Sequence, residues 1–389
     1  MKKSKKSSME VKPEIETFAK IKVIGVGGSG GAAIERMMEG GVKGVEFLAV
    51  NTDAQALHHS PAKNKIHIGK TTTRGLGAGM DPELGYKAAE ENQEEIQQAL
   101  KGCDMVFITC GLGGGTGSGA GPLIAQMAKE AGALTVAVVT KPFEFEGAQR
   151  QQISESSLHE LSEKVDTIIT IPNDRILQII DKKTSLLDAF SVVDEILRQG
   201  VQGISDLITV PGLINVDFAD VKAIMADAGS ALMGIGRSGG ENRAIDAAKA
   251  AIDSPLLEVS IDGAKGILFT ITGGSNLGMF EVNEAARVIT EMADPNAQII
   301  FGSVIDDNMK DEVQVTVVAT GFGNTPRSSK KVEATNPFRD IEAIQPQREE
   351  PAAPMPAAPA AKSIMDEEKV DNSEEEDLDI PAFIRKKMM

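Results

Sequence analysis

Two glycine clusters carry most of the chemistry legible in this 389-residue sequence. Gly25, Gly27 and Gly30 satisfy G-x-G-x-x-G directly after the apolar run IKVIGV (21–26) and before a helical pattern from Ala32 to Met38. The run Gly111-Leu112-Gly113-Gly114-Gly115-Thr116-Gly117-Ser118-Gly119 follows MVFIT (105–109) and opens a second helical pattern, Pro122 to Ala131. A glycine loop between strand and helix leaves successive backbone N–H groups unobstructed at a helix N-terminus, where an anion is favoured. Thr116 and Ser118 add hydroxyl donors. Two such loops at one sheet edge suit a di- or triphosphate better than a nicotinamide cofactor. No lysine follows either cluster, so the Walker pattern G-x-x-x-x-G-K-[ST] is missing. The phosphate charge would then be met by amides, hydroxyls, Mg²⁺ and Arg150. Two other readings stay open on the residues alone. One is that glycine serves only tight turns, the other that the first loop belongs to a dinucleotide fold with Asp53 holding a ribose.

The elements that must position these loops follow from apolar patterning. IKVIGV (21–26), VEFLAV (45–50), KIHIG (65–69), MVFIT (105–109), LTVAVV (134–139) and TIITI (167–171) are continuous apolar runs separated by helical stretches. That predicts an α/β fold, a doubly wound and mostly parallel sheet. Asp81–Pro82 starts a helix running to Leu100. Leu186 to Leu197 is an amphipathic central helix, read as a spine between two halves. Beyond Pro211 come helices over 218–227 and 243–252, a strand at 231–235, GILFTITGG (266–274), a helix from about Glu281, IIFGSVI (299–305) and VQVTVVAT (313–320). They predict a second, smaller α/β domain with its own sheet.

Composition sets limits. The formal net charge of −17 argues against a general nucleic-acid binder, which needs a basic surface. Cys103 and Cys110 are the only cysteines, no leader peptide is evident, and no run nears the length of a membrane span, so a reducing cytoplasm is expected. No His, Cys or carboxylate cluster has metal-ligand spacing, so no protein-caged metal is expected. Residues 324–377 are rich in Pro, Ala, Glu and Lys and are expected to be disordered. The closing LDIPAFIRKKMM (378–389) sets Leu378, Ile380, Phe383 and Ile384 beside Arg385, Lys386 and Lys387, as a docking peptide would.

GGGTGSG (113–119) resembles the signature of the tubulin/FtsZ superfamily. IKVIGVGGSGG (21–31), NTDAQAL (51–57), TKPFEFEG (140–147), IPND (171–174), NVDFAD (215–220), GGSNLGMFEVNEAA (273–286) and DIPAFIRKK (379–387) resemble the bacterial FtsZ family in the expected order. The resemblance implies a tubulin-like fold: a flexible segment (1–20), a GTP-binding domain (21–182), a central helix and connection (183–209), a polymerisation domain (210–322), a linker (323–377) and a partner-binding tail (378–389). It implies phosphate contacts from Gly27, Gly28, Gly30 and Gly31, and from Gly114, Gly115, Thr116, Gly117, Ser118 and Gly119. Glu146 and Arg150 would lie near ribose and phosphates. Asn173 and Asp194 would read the guanine edge, with Phe190 against the ring. Phe190 and Asp194 are four apart and so share one helix face.

The family's hydrolysis loop matches Asn215, Asp217 and Asp220, which would enter the next subunit's pocket in a head-to-tail filament. A helix cap is the plainer role for Asn215 or Asp217. The ligands implied are GTP and GDP, with Mg²⁺ held mainly by phosphates and water. The tail's implied partners are membrane-anchoring and regulatory division proteins at mid-cell. Ala32 departs from the pattern, where family members commonly carry Asn. A non-catalytic nucleotide-binding scaffold is the alternative.

Overall fold

The central runs read as strands, at 21–26, 105–109 and 134–139, are buried along nearly their whole length, because helices cover both faces of the sheet they build. The computed structural model describes residues 19–322, apart from 182, 211, 213, 215, 258 and 259. The expectations for the N-terminal segment, the linker and the tail peptide lie outside the described residues, as does Asn215. The first half runs β1 (Ile21–Val26), α1 (Gly27–Glu39), β2 (Val45–Asn51), α2 (Ala54–His59), β3 (Asn64–His67), α3 (Pro82–Glu91), α4 (Gln93–Leu100), β4 (Met105–Gly111), α5 (Gly115–Glu130), β5 (Leu134–Lys141), α6 (Ala148–Lys164), β6 (Thr167–Pro172) and α7 (Asn173–Ile176). The chain continues through α8 (Leu186–Thr209), α9 (Phe218–Met225), β7 (Gly229–Gly239), α10 (Arg243–Ile252), β8 (Gly266–Gly273), α11 (Met279–Thr290), β9 (Gln298–Ile305) and β10 (Glu312–Thr320).

The strand order is β3-β2-β1-β4-β5-β6-β7-β10-β8-β9. Every pair from β3 to β7 is parallel; only the pairs of β10 with β7 and β8 are antiparallel. Order reverses between β1 and β4, and the crevice at the carboxyl ends of those strands is where such sheets bind ligands. One apolar cluster packs α1, α8 and α9 on one face. A second packs α3, α4 and α5 on the other. A third lies under α10 and α11.

The structure revises several expectations. The second half does not have its own sheet: a short ladder, Thr167↔Gly229 to Ile169↔Ala231, joins β7 to β6. The helix expected over 82–100 is two helices, broken at Asn92, whose side chain accepts from Gly69 N–H instead. Both glycine-loop helices start earlier than their apolar patterns do, at Gly27 and Gly115, because glycines form the first turn. The central helix runs on to Thr209, and α6 was not legible because its sequence is polar and buries only Ser154, Ser157 and Leu161.

Close approach explains two of the glycines. A Cβ on Gly30 would lie 2.4 Å from the Thr109 carbonyl oxygen, where α1 crosses β4. One on Gly119 would lie 1.9 Å from the Pro82 carbonyl oxygen, where α5 meets α3. A Cβ on Gly28 would meet nothing within 4 Å. Gly30→Ala should therefore lower stability by about 1–3 kcal/mol through overpacking. Gly28→Ala should leave the urea midpoint unchanged. Parallel urea titrations of the two variants check this, and equal midpoints would contradict it.

Candidate nucleotide site

A cavity of about 420 Å³ opens at the switch point. Gly28 and Ser29 enter it from the start of α1, Gly111, Leu112 and Gly114 from the second loop, and Thr140 and Pro142 from the end of β5. Asn173 opens α7, and Phe190, Val193, Asp194 and Leu197 recur on one face of α8. Of the residues picked out by sequence, the cavity brings together Gly28, Gly114, Glu146, Arg150, Asn173, Phe190 and Asp194. Val193 and Leu197 were missed, although their spacing from Phe190 puts them on its face.

The remaining loop residues stand behind this lining. Gly27 begins α1 at φ 75, with its Cβ position 3.2 Å from the Gly117 nitrogen, so the two loops touch. Gly31 is open on its Cβ side. Gly115 N–H donates to the Gly79 carbonyl at 2.7 Å, which ties the second loop to residues 69–81. Thr116 shares a 2.6 Å hydroxyl hydrogen bond with buried Thr52. Ser118 is buried and accepts Gly113 N–H at 2.9 Å, so its oxygen braces the loop from within.

On the opposite wall, Glu146 accepts from Phe143 N–H and from Arg150 at 2.6 Å. This pair orients the guanidinium at the cavity edge. Phe190 meets Phe143 edge to face, at 5.6 Å between centroids, and Phe143 stacks on Phe145. The Asn173 side chain is buried, and its Oδ1 has no hydrogen-bond partner. A buried acceptor left bare costs about 1–3 kcal/mol. Burial pushes the half-buried Asp194 carboxyl up to about 6, with Arg36 opposing and Glu35 adding to the rise. Asn173 and Asp194 both line the cavity; guanine carries a pair of N–H donors on one edge, N1–H and the exocyclic amine, and adenine does not.

Asp217 and Asp220 are exposed and do not line this cavity. Asp217 caps α9, its Oδ1 accepting Asp220 N–H at 2.9 Å.

These features define a nucleoside-phosphate-binding α/β protein that uses backbone amides where a Walker lysine would otherwise act. The sequence matches the model of the Tubulin/FtsZ family GTPase domain over residues 20–181 and that of the FtsZ family C-terminal domain over 229–323. An FtsZ dimer from M. jannaschii is 48% identical, with a TM-score of 0.76, over 79% of this chain and 89% of that one. CetZ2 from Haloferax volcanii, a GTPγS-bound protofilament, is 24% identical at a TM-score of 0.67, over 79% and 95%, and is similar in fold. The chain belongs to the tubulin/FtsZ family, the cell-division GTPases that polymerise into filaments.

The Asp194 carboxyl gives a signed pH dependence. Guanine donors favour the carboxylate, so binding should weaken as the free site protonates. GDP affinity is expected to be flat above pH 7 and roughly tenfold lower at pH 5, the ratio set by one pH unit below the carboxyl's pKa. Calorimetry from pH 5 to 8 tests this, with ADP as the weak-binding control. A wild-type GDP affinity independent of pH, or equal to that for ADP, would remove Asp194 from base recognition.

Proposed function

We propose that GTP held in this cavity is cleaved only when a neighbouring copy supplies Asp217 and Asp220, so that hydrolysis depends on head-to-tail assembly. The observation that carries this reading is the separation of those carboxylates from the cavity within one chain. Leu197 is the last α8 residue lining the cavity, and from there to Thr209 the helix runs about 18 Å further before the chain reaches α9. A copy stacked along that axis would present its α9 edge to the next cavity. Large apolar side chains near the cavity residues in sequence also suit a protein cover: Phe145, Leu177, Ile179, Leu186 and Leu187 are all exposed. Such an interface is heterologous and propagates instead of closing.

In this reading Gly27, Gly28, Gly30, Gly31 and Gly114 to Gly119 cradle the phosphates, with Arg150 at their edge. Asn173, Asp194 and Phe190 hold the base. Asp217 and Asp220 of the arriving copy, with Asn215, orient the attacking water and accept its proton. The described residues contain no group of three His, Cys, Asp or Glu that could cage a cation. Glu146, one of two carboxylates at the cavity, is spent on Arg150. That donor set fits Mg²⁺ carried by phosphates and water. Such an ion would supply neutralisation of phosphate charge.

The tail 378–389 binds membrane-anchoring and regulatory division proteins, which holds cytoplasmic filaments at the mid-cell ring with only indirect membrane contact. Its apolar residues and the Arg385–Lys387 cluster support a groove with acidic surroundings. No helix among the described residues is long and apolar enough to cross a membrane.

Two variants separate binding from cleavage. Gly114→Asp sets a carboxylate in the open space where phosphates would lie and should abolish GTP binding. Asp220→Ala should keep GTP affinity and lose hydrolysis. Mixed, they should hydrolyse GTP although neither does alone. Full activity per molecule in a demonstrably monomeric wild-type sample would overturn the shared site. A chain truncated after Phe322 should still assemble with GTP, as followed by light scattering, and should fail to bind the anchoring partner.

A further inference from the structure

We propose that Lys129 is a positioning residue for the Asp217/Asp220 edge that serves the neighbouring pocket; the inference rests on the shared site proposed above. The helix α5 begins at the second glycine loop, and its 16 residues carry the chain about 24 Å away from it. At the far end, Lys129 Nζ lies 2.8 Å from Asp227 Oδ1 and 3.0 Å from Asp166 Oδ1, and donates to the Val165 carbonyl at 3.3 Å. Three acceptors match the three N–H groups of an ammonium. Asp166 is buried just before β6; its other carboxylate oxygen accepts Thr135 N–H at 2.8 Å, and its carbonyl accepts Gly229 N–H at 2.9 Å. Asp227 follows closely on Met225, the last residue of α9, and holds a left-handed φ of 49. Alongside, Thr167 Oγ1 donates to the Met225 carbonyl at 2.5 Å.

The C-terminal end of α9 is therefore tied at two points to the sheet and to the end of α5. Its N-terminal end carries Asp217 and Asp220. The helix has only 8 residues, and Val221, Ile224 and Met225 are buried, so it moves as a unit: displacement at one end displaces the other. Burial by itself would lower the Lys129 ammonium, but hydrogen bonds to Asp227 and Asp166 raise it above the ordinary lysine value, so it is charged throughout the working range. Lys129 does not line the nucleotide cavity of its own chain. Its effect should fall on the neighbour's reaction.

The test uses the full chain above its assembly threshold. Lys129→Met should lower kcat roughly ten- to hundredfold, the scale on which small misplacements act, with KM and GDP affinity unchanged. Lys129→Arg should restore most of the rate. Asp227→Asn keeps the left-handed backbone and the part-buried Lys129–Asp166 pair, so it should fold even where the Met variant does not, with a smaller fall and the same split. Mixing then assigns the side. Lys129→Met should recover activity with Gly114→Asp, which supplies a sound α9, and should not recover it with Asp220→Ala. The reverse pattern, or wild-type kcat in both Lys129→Met and Asp227→Asn, overturns the role of Lys129 and leaves the shared site standing. Failure of Gly114→Asp and Asp220→Ala to complement each other overturns the shared site, and this inference with it.

Discussion

The site depends on backbone meeting backbone with no side chain between. An anion held by amides needs several N–H groups converging on one point, and two helix starts meet here at one sheet edge. Gly30 lets α1 lie on β4, Gly119 lets α5 lie on α3, and the touching of Gly27 and Gly117 joins the two loops. A lysine could bring charge to the phosphates along a flexible stem. Amides are fixed by the fold, so the precision of the site is the precision of these packings. The buried hydroxyls of Thr52 and Ser118 belong to the same construction, because each braces the second loop from behind.

The central helix turns this cradle into a selective and directional site. Phe190, Val193, Asp194 and Leu197 put one face of α8 on the cavity, while Val201, Ile204 and Leu207 bury its lower half. Placing Asp194 there has a cost. Its carboxyl is raised in the folded chain, so ionised Asp194 destabilises the nucleotide-free fold at neutral pH; that cost begins to fall as pH drops through about 6 and is gone only below the ordinary aspartate value. In the proposed site, guanine donors would offset it. Asp206, lower on the same helix, is also pushed up to about 6 by burial, chiefly against the opposing hydrogen bond of Gln202. Stability is thus lowered at two carboxylates along this helix, one of them on the cavity face.

Much of the architecture was legible because it is local. Continuous apolar runs define strands buried on two faces, and glycine clusters directly after them define anion loops whatever surrounds them. Asp81–Pro82 fixed the start of α3, but the break at Asn92 was hidden, since it is made by a partner 23 positions earlier, Gly69. The polar α6 was hidden for a related reason: a helix that buries three small or isolated positions leaves little periodic signal. For Asp217, the plainer reading as a cap holds within the chain, and capping still leaves its carboxylate exposed at the end of α9.

The sequence by itself determined the parallel α/β core, the two glycine loops and the shared helix face of Phe190 and Asp194, since each depends on residues within a few turns of one another. Only the tertiary structure decided that both halves share one sheet through the β6–β7 ladder. It alone left the Asn173 carbonyl bare beside the cavity, kept Asp217 and Asp220 out of that cavity, and brought Lys129 to Asp227. Those relations join residues tens to hundreds of positions apart. No local pattern encodes them, because hydrogen bonding and burial at such separations are set by how whole elements pack.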